Sequence, residues 1–246
     1  MGLLDTSYAA YYGFTVDQFS LKGNTAVISG GVRGLGFAFA EALAEAGANI
    51  AILDIGTPQA GSLEKQVNEV VETIEKEFGN VDVNINAAGV ATDEPFLATS
   101  DKNLSSTFNV NFVGSFLVAQ ACANSMVRKW EKLGKPELED APRIGSIIFI
   151  SSVAISAPRP LRWNWPNTVS GQFAVPWLNT NGHDEKVEQT FPDLLKQFNQ
   201  ESMFGRVGEP EELKPAILYL ASGTWKTGQD LLVDGGVSSW KHRGNW

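Results

Sequence analysis

Three glycines, Gly30, Gly34 and Gly36, lie in "ISGGVRGLGFAFAEALAEAG", between an apolar β-rich run and a run of strong helix formers. The order is strand, glycine turn, helix. Such a turn lets backbone approach phosphate oxygens closely, and the helix behind it presents free N–H groups and the positive end of its dipole. The chemistry this suits is recognition of a pyrophosphate such as that of a dinucleotide, with Arg33 and Leu35 filling the intervening positions of the turn. Asp54 closes the next apolar run, "NIAILD". A carboxylate there bonds a ribose 2′-hydroxyl and repels a 2′-phosphate, which favours NAD. Arg33 argues for NADP as the alternative, because a guanidinium within the turn can meet a 2′-phosphate.

A second stretch with chemical potential is "FISSVAISAPRPLRWNWPNTVSGQF", residues 149–173. It begins as the end of a buried strand with two hydroxyls, Ser151 and Ser152. It then runs into Trp163, Trp165 and several prolines with no helical period. Ser151 is read as a strand-end hydroxyl that bonds its own backbone. His183, in "TNGHDEK", is read as a solvated loop residue. No metal site is expected.

These residues need a scaffold, and the chain supplies one. Residues 24–54 read as strand, turn, helix and strand; 62–78 as a one-sided helix with Leu63, Val67, Val70, Val71, Ile74 and Phe78 at helical spacing and Gly79 as its stop. "VDVNINAAG" is the next buried strand and turn, 103–132 a long helix, and "RIGSIIFISS" the strand after it. Pro210, with Glu209, Glu211 and Glu212 around it, suits a helix start, and "GQDLLVDGG" a last strand. Strands alternating with helices imply an α/β fold, a doubly wound parallel sheet covered on both faces. At 246 residues one domain suffices: an N-terminal extension over 1–20 and a dinucleotide-binding domain over 21–240, with 155–190 irregular.

Bulk properties narrow the partners. The net charge of −9 disfavours nucleic acid and anionic membranes, and a small-molecule substrate is expected. The single cysteine, Cys122, is read as a buried core thiol. No apolar run is read as a membrane span and no leader is recognised, so the expected location is the cytoplasm.

Taken together, Gly30, Gly34 and Gly36, "NAAG" at 86–89, "NVNFVG" at 109–114, "ISS" at 150–152 and "TGQDLLVDGG" at 227–236 resemble the short-chain dehydrogenase/reductase family over residues 20–153 and 190–237. The nearest subgroup resembles the fungal polyol and sugar reductases. The resemblance implies a Rossmann-like fold and hydride transfer between a nicotinamide dinucleotide and a carbonyl or secondary alcohol, with a sugar or polyol as substrate. It implies that Asn86, Ala87 and Gly89 line the adenosine side of the cofactor. It further implies that Asn111 kinks the long helix and holds a water in a proton relay, and that Ser152 bonds the substrate carbonyl.

The family's tyrosine, with a lysine four residues on, has no counterpart. Tyr8, Tyr11, Tyr12 and Tyr219 each lack the lysine, and the expected tyrosine position falls near Trp165. Against the family's pattern the chain is also short of an edge strand after Asp54, and of the catalytic helix plus an inner strand after Ser152. The resemblance implies an oligomer interface built on a helix pair that includes that helix, so any homo-oligomer needs a partly different one. Two accounts of residues 161–178 stand side by side. One is a real Trp-rich loop. The other is out-of-frame translation, because the codons forced by Trp-Asn-Trp-Pro, shifted by one nucleotide, encode Glu-Leu-Ala after Val, Leu or Met, as in the family's run out of the catalytic helix. The functional readings are accordingly an oxidoreductase, or a catalytically inactive dinucleotide-binding protein or aberrant gene product.

Overall fold

Thr25–Ser29 forms strand β1, buried at every position, as an apolar run covered on both faces of a sheet should be. The computed structural model describes residues 17–54, 62–90, 96–136, 144–151, 168–174, 196, 199–200, 202–223 and 227–236, with backbone alone at Phe96 and 168–174. Helix α1, Gly34–Glu45, follows the glycine turn and leads to β2, Asn49–Leu53. Helix α2, Leu63–Phe78, is capped by Ser62, whose Oγ accepts from the Lys65 N–H at 3.3 Å, and is stopped by Gly79 at φ 87°. Then come β3, Val83–Asn86, and α3, Asp101–Phe108. Helix α4, Ser115–Lys132, leads to β4, Gly145–Ser151, and β5, Thr168–Ala174. A 3₁₀ turn at Pro210–Leu213 opens α5, Lys214–Ser222, and β6, Gln229–Leu232, closes the sheet.

The six strands are all parallel, in the order β2-β1-β3-β4-β5-β6. This is the expected Rossmann-like α/β sheet. One face packs Ile28, Val83, Ile85 and Ile148 against α1 and α5 through Phe39, Leu43, Ile217 and Leu220. The other packs Val27 and Ile147 against α2 and α4 through Val71, Ile74, Val118, Cys122 and Met126. Among the described residues β2 forms one edge of the sheet.

Three readings need comment. The expected loss of an inner strand is corrected: β5 lies between β4 and β6, in register with Gly145–Ser151 on one side and Gln229–Leu232 on the other. Pro158, Pro160, Pro166 and Pro176, which a strand interior would not tolerate, all flank Thr168–Ala174 and none interrupts it. The second concerns the membrane: Asp101–Lys132 is by length and composition long and apolar enough to cross a bilayer. Its Val118, Cys122 and Met126 face, however, is packed in the core. Finally, the catalytic-helix region, including Ser152, Trp163 and Trp165, lies outside the described residues, as do residues 1–16 and most of 175–198.

The long helix departs from α geometry where its kink was expected. Residues Asn109–Gly114 form a π segment between α3 and α4. Such a wide turn inside an α-helix commonly marks a functional position.

At the amino end of β3 a polar network ties the layers together. Glu75 Oε1 accepts from Ser125 Oγ (2.7 Å), Asn80 Nδ2 (3.2 Å) and Arg128 Nε (3.2 Å), while Oε2 accepts from an Arg128 guanidinium nitrogen at 2.8 Å. Ser125 Oγ in turn accepts the Val81 N–H at 3.0 Å. Beside it Asp82 accepts the Thr25 N–H at 2.8 Å and pairs with Lys129. Burial pushes the Glu75 carboxyl up, but the bonds from Arg128 and Ser125 outweigh it and hold the group below its ordinary value. A carboxyl with a depressed folded-state pKa adds stability above its unfolded value and loses it as pH falls through the folded one. Glu75→Gln should therefore lower stability by about 1–3 kcal/mol at pH 7. The gap between variant and wild type in urea unfolding should narrow as pH falls below the ordinary value of 4.5.

Candidate active site

The glycine turn is built on contacts that allow no side chain. Gly30 has φ 71° and Gly34 φ 56°, both in the left-handed region that favours glycine. A Cβ on Gly36 would lie 2.2 Å from the Gly30 carbonyl oxygen, and one on Gly30 would lie 2.7 Å from Ala88 N and Cα. The turn is thus pressed onto the chain leaving β3. Arg33, extended at φ −156°, precedes α1 and is exposed, and Leu35 packs against the core. No acidic residue stands in the first turn of α1 to compete with an anion. Asp54, exposed at the end of β2, accepts the Val32 N–H through Oδ2 at 3.3 Å.

The exit from β3 is held from below and from the side. Ala87 N–H donates to Ser29 O at 3.1 Å and Ala88 N–H to Ser29 Oγ at 3.5 Å. Asn111, in the π segment, donates through Nδ2 to Val90 O at 2.9 Å and accepts the Val90 N–H through Oδ1 at 2.8 Å. Both ends of its amide are therefore engaged with one residue's backbone. The side chain acts as a staple between the helix and the turn, and a Cβ placed on Gly89 would come no nearer to its Oδ1 than 3.7 Å. The structure thus brings Gly30, Arg33, Gly34, Leu35 and Gly36 together with Ala87, Gly89 and Asn111 at the carboxyl ends of β1 and β3. Ser152 lies outside the described residues.

Sequence reading missed Asn84. It is fully buried in an inner strand; its Nδ2 donates to Val27 O at 3.3 Å and its Oδ1 accepts from Asn86 Nδ2 at 2.8 Å. Asn86 Nδ2 also reaches Ile148 O at 3.4 Å, which leaves its Oδ1 buried without a partner. The available signal was the polar alternation in Asn84-Ile85-Asn86, unusual for a strand buried on both faces. Cys122 is excluded as a nucleophile. Burial above all, with the charge of Glu75, pushes its thiol far above the ordinary range.

The cradle fits a nicotinamide dinucleotide. Glycines at every close approach, an anion-ready helix start and a carboxylate at the end of the second strand are what a pyrophosphate and a ribose require.

Comparison with known proteins agrees. The family described as short chain dehydrogenase matches residues 62–165, and that described as Enoyl-(Acyl carrier protein) reductase matches 175–238. A protein of Yarrowia lipolytica named "Probable NADP-dependent mannitol dehydrogenase" is 29% identical over 90% of this chain and 90% of its own length. The sorbose reductase of Candida albicans is 27% identical over 97% of this chain and 95% of its own. That alignment runs over 280 positions against 246 residues here, so the relative carries segments this chain lacks. A gluconate 5-dehydrogenase from Burkholderia cenocepacia, crystallised with NADP and tartrate, shares the fold at a TM-score of 0.75 and 24% identity, over 92% of this chain and 99% of that one. By its sheet, its glycine cradle and these matches, the chain belongs to the short-chain dehydrogenase/reductase family, NAD(P)-dependent oxidoreductases that act on CH–OH and carbonyl groups.

Proposed function

We propose that this chain binds NAD and is an oxidoreductase for a sugar or polyol. The observation that carries the reading is the Gly30–Gly36 contact: a Cβ on Gly36 would lie 2.2 Å from the Gly30 carbonyl oxygen, so glycine alone lets the start of α1 close onto the turn after β1. Gly30, Gly34 and Gly36, with the start of α1, would hold the pyrophosphate, and Asp54 the adenosine ribose. Bound there, the dinucleotide supplies the hydride acceptor or donor. The roles of Asn86, Ala87 and Gly89 toward adenosine, of Asn111 as a positioning side chain, and of Ser152 toward the substrate oxygen belong to the same proposal. The substrate class rests on relatives named for mannitol and sorbose. The choice of NAD rests on Asp54, whose charge would repel a 2′-phosphate, although the Yarrowia relative is named as NADP-dependent.

A second reading, dinucleotide binding without turnover, has its own observation. No tyrosine in the chain is followed four residues later by lysine, so the proton-transfer pair the family resemblance implies is not encoded. The two family matches leave 166–174 uncovered, within the stretch where an out-of-frame translation would replace that helix.

NADH titrated into the protein should bind at least tenfold more tightly than NADPH, and Asp54→Ser should shift the preference toward NADPH. Tighter NADPH binding by the wild type would overturn the choice of cofactor. Gly36→Ala should abolish binding of both and destabilise the fold by about 1–3 kcal/mol through overpacking. Mannitol- or sorbitol-dependent NADH formation on the same sample selects the oxidoreductase; binding without it selects the second reading, and absence of binding sinks both.

A further inference from the structure

Two amides are buried side by side in the interior of the sheet. Asn84 and Asn86 stand two residues apart on β3, so both side chains leave the same face. That face is the one α2 and α4 cover, because Asn84 pairs in register with Val27 and Ile147, which pack there. Asn84 is 0% and Asn86 2% exposed. An apolar side chain would fill either position with no polar group to satisfy, whereas a buried amide costs free energy unless its atoms find partners.

The partners fix which way each amide faces. Asn84 Nδ2 donates to Val27 O of β1 at 3.3 Å, which turns its Oδ1 toward Asn86. Asn86 Nδ2 donates to that oxygen at 2.8 Å and to Ile148 O of β4 at 3.4 Å. Reversing the Asn86 amide would set its oxygen against two acceptors. The short bond to Asn84 is what holds Asn86, and it does so at a cost, since among the described residues Asn86 Oδ1 is buried with no partner. Asn86 is also the last residue of β3. Directly after it Ala87 bonds Ser29 O, and Ala88 meets the turn at Gly30.

We propose that Asn84 is a positioning residue for the dinucleotide: by holding Asn86 in one orientation it fixes the exit of β3, against which Gly30 and the rest of the glycine cradle are set. This rests on the reading of that cradle as the cofactor site. With leucine in place of Asn84, Asn86 Nδ2 keeps only the 3.4 Å bond. Its amide then turns to find a donor for Oδ1, and residues 87–89 are no longer held in a single arrangement. Ordering that the fold had supplied falls to binding itself, and affinity drops. The Glu75 network, at the other end of β3, is untouched.

NADH should bind Asn84→Leu at least fivefold more weakly than the wild type. Asn86→Leu should weaken binding at least as much, and the double variant should be no weaker than Asn86→Leu alone, because Asn84 acts through Asn86. Losses that multiply, or an Asn84→Leu affinity within twofold of the wild type, would overturn the inference and leave the cofactor reading standing. A wild type that binds no dinucleotide would overturn both. Nuclear magnetic resonance of the ligand-free protein keeps the test decisive where a variant does not fold. In the wild type both Asn86 side-chain N–H protons should exchange slowly with solvent, and fast exchange would overturn the inference. In Asn84→Leu those signals and the backbone amides of residues 87–89 should shift while that of Val81, at the far end, stays put. Shifts of equal size at both ends would reduce Asn84 to a prop of the sheet and overturn its role at the site.

Discussion

Everything at the candidate site depends on one close approach, that of the Gly30 backbone to Ala88. With 2.7 Å between the place of a Cβ and the Ala88 main chain, the turn after β1 and the exit from β3 form a single surface. Gly36 then meets the back of the same turn, which fixes where α1 starts and where its dipole points. Ser29 bonds the exit of β3 from below, and Asn111 grips Val90 just beyond it. A ligand-binding turn usually belongs to the mobile part of a protein. Here it is bounded by main chain on two sides, so most of the ordering that binding demands is already present in the fold.

The lower half of the sheet is held by different means. Glu75 collects donors from Ser125, Arg128 and Asn80, and Asp82 joins β1 to α4 through Thr25 and Lys129. These groups lie at the amino ends of the strands, away from the glycine turn, and they lock α2 to α4. Apolar burial fills the space between the two polar ends, with Val27, Ile28, Ile85 and Ile148 essentially inaccessible to solvent. A rigid base of this kind lets the loops at the carboxyl ends differ among relatives without moving the sheet.

Much of this was legible in sequence because it rests on local rules. The strand at Thr25–Ser29, the cap and stop of α2 at Ser62 and Gly79, and the glycine turn each need only their own residue types. The long-range partners were not legible. Nothing in the linear pattern shows that Asn111 will bond Val90, or that Asn84 will orient Asn86 from inside a strand, since both depend on which segments the topology brings together. Strand β5 was not legible because the prolines that crowd both its flanks obscure a seven-residue run that contains none. The chemistry of residues 152–167 is unreadable for another reason: the sequence there departs from the very pattern that gives its neighbours meaning.

The π segment has one more implication, for how such a site arises. A π turn holds one residue more than the α turn it replaces, and the helix on either side keeps its own face toward its neighbours. A chain one residue shorter between Asn109 and Gly114 would run as an ordinary helix, with Val118, Cys122 and Met126 still in the core. It would lose the outward step that carries Asn111 to Val90. The staple can therefore be read as a single-residue insertion that the helix absorbed within one turn, adding a functional contact without requiring any other part of the fold to be rebuilt.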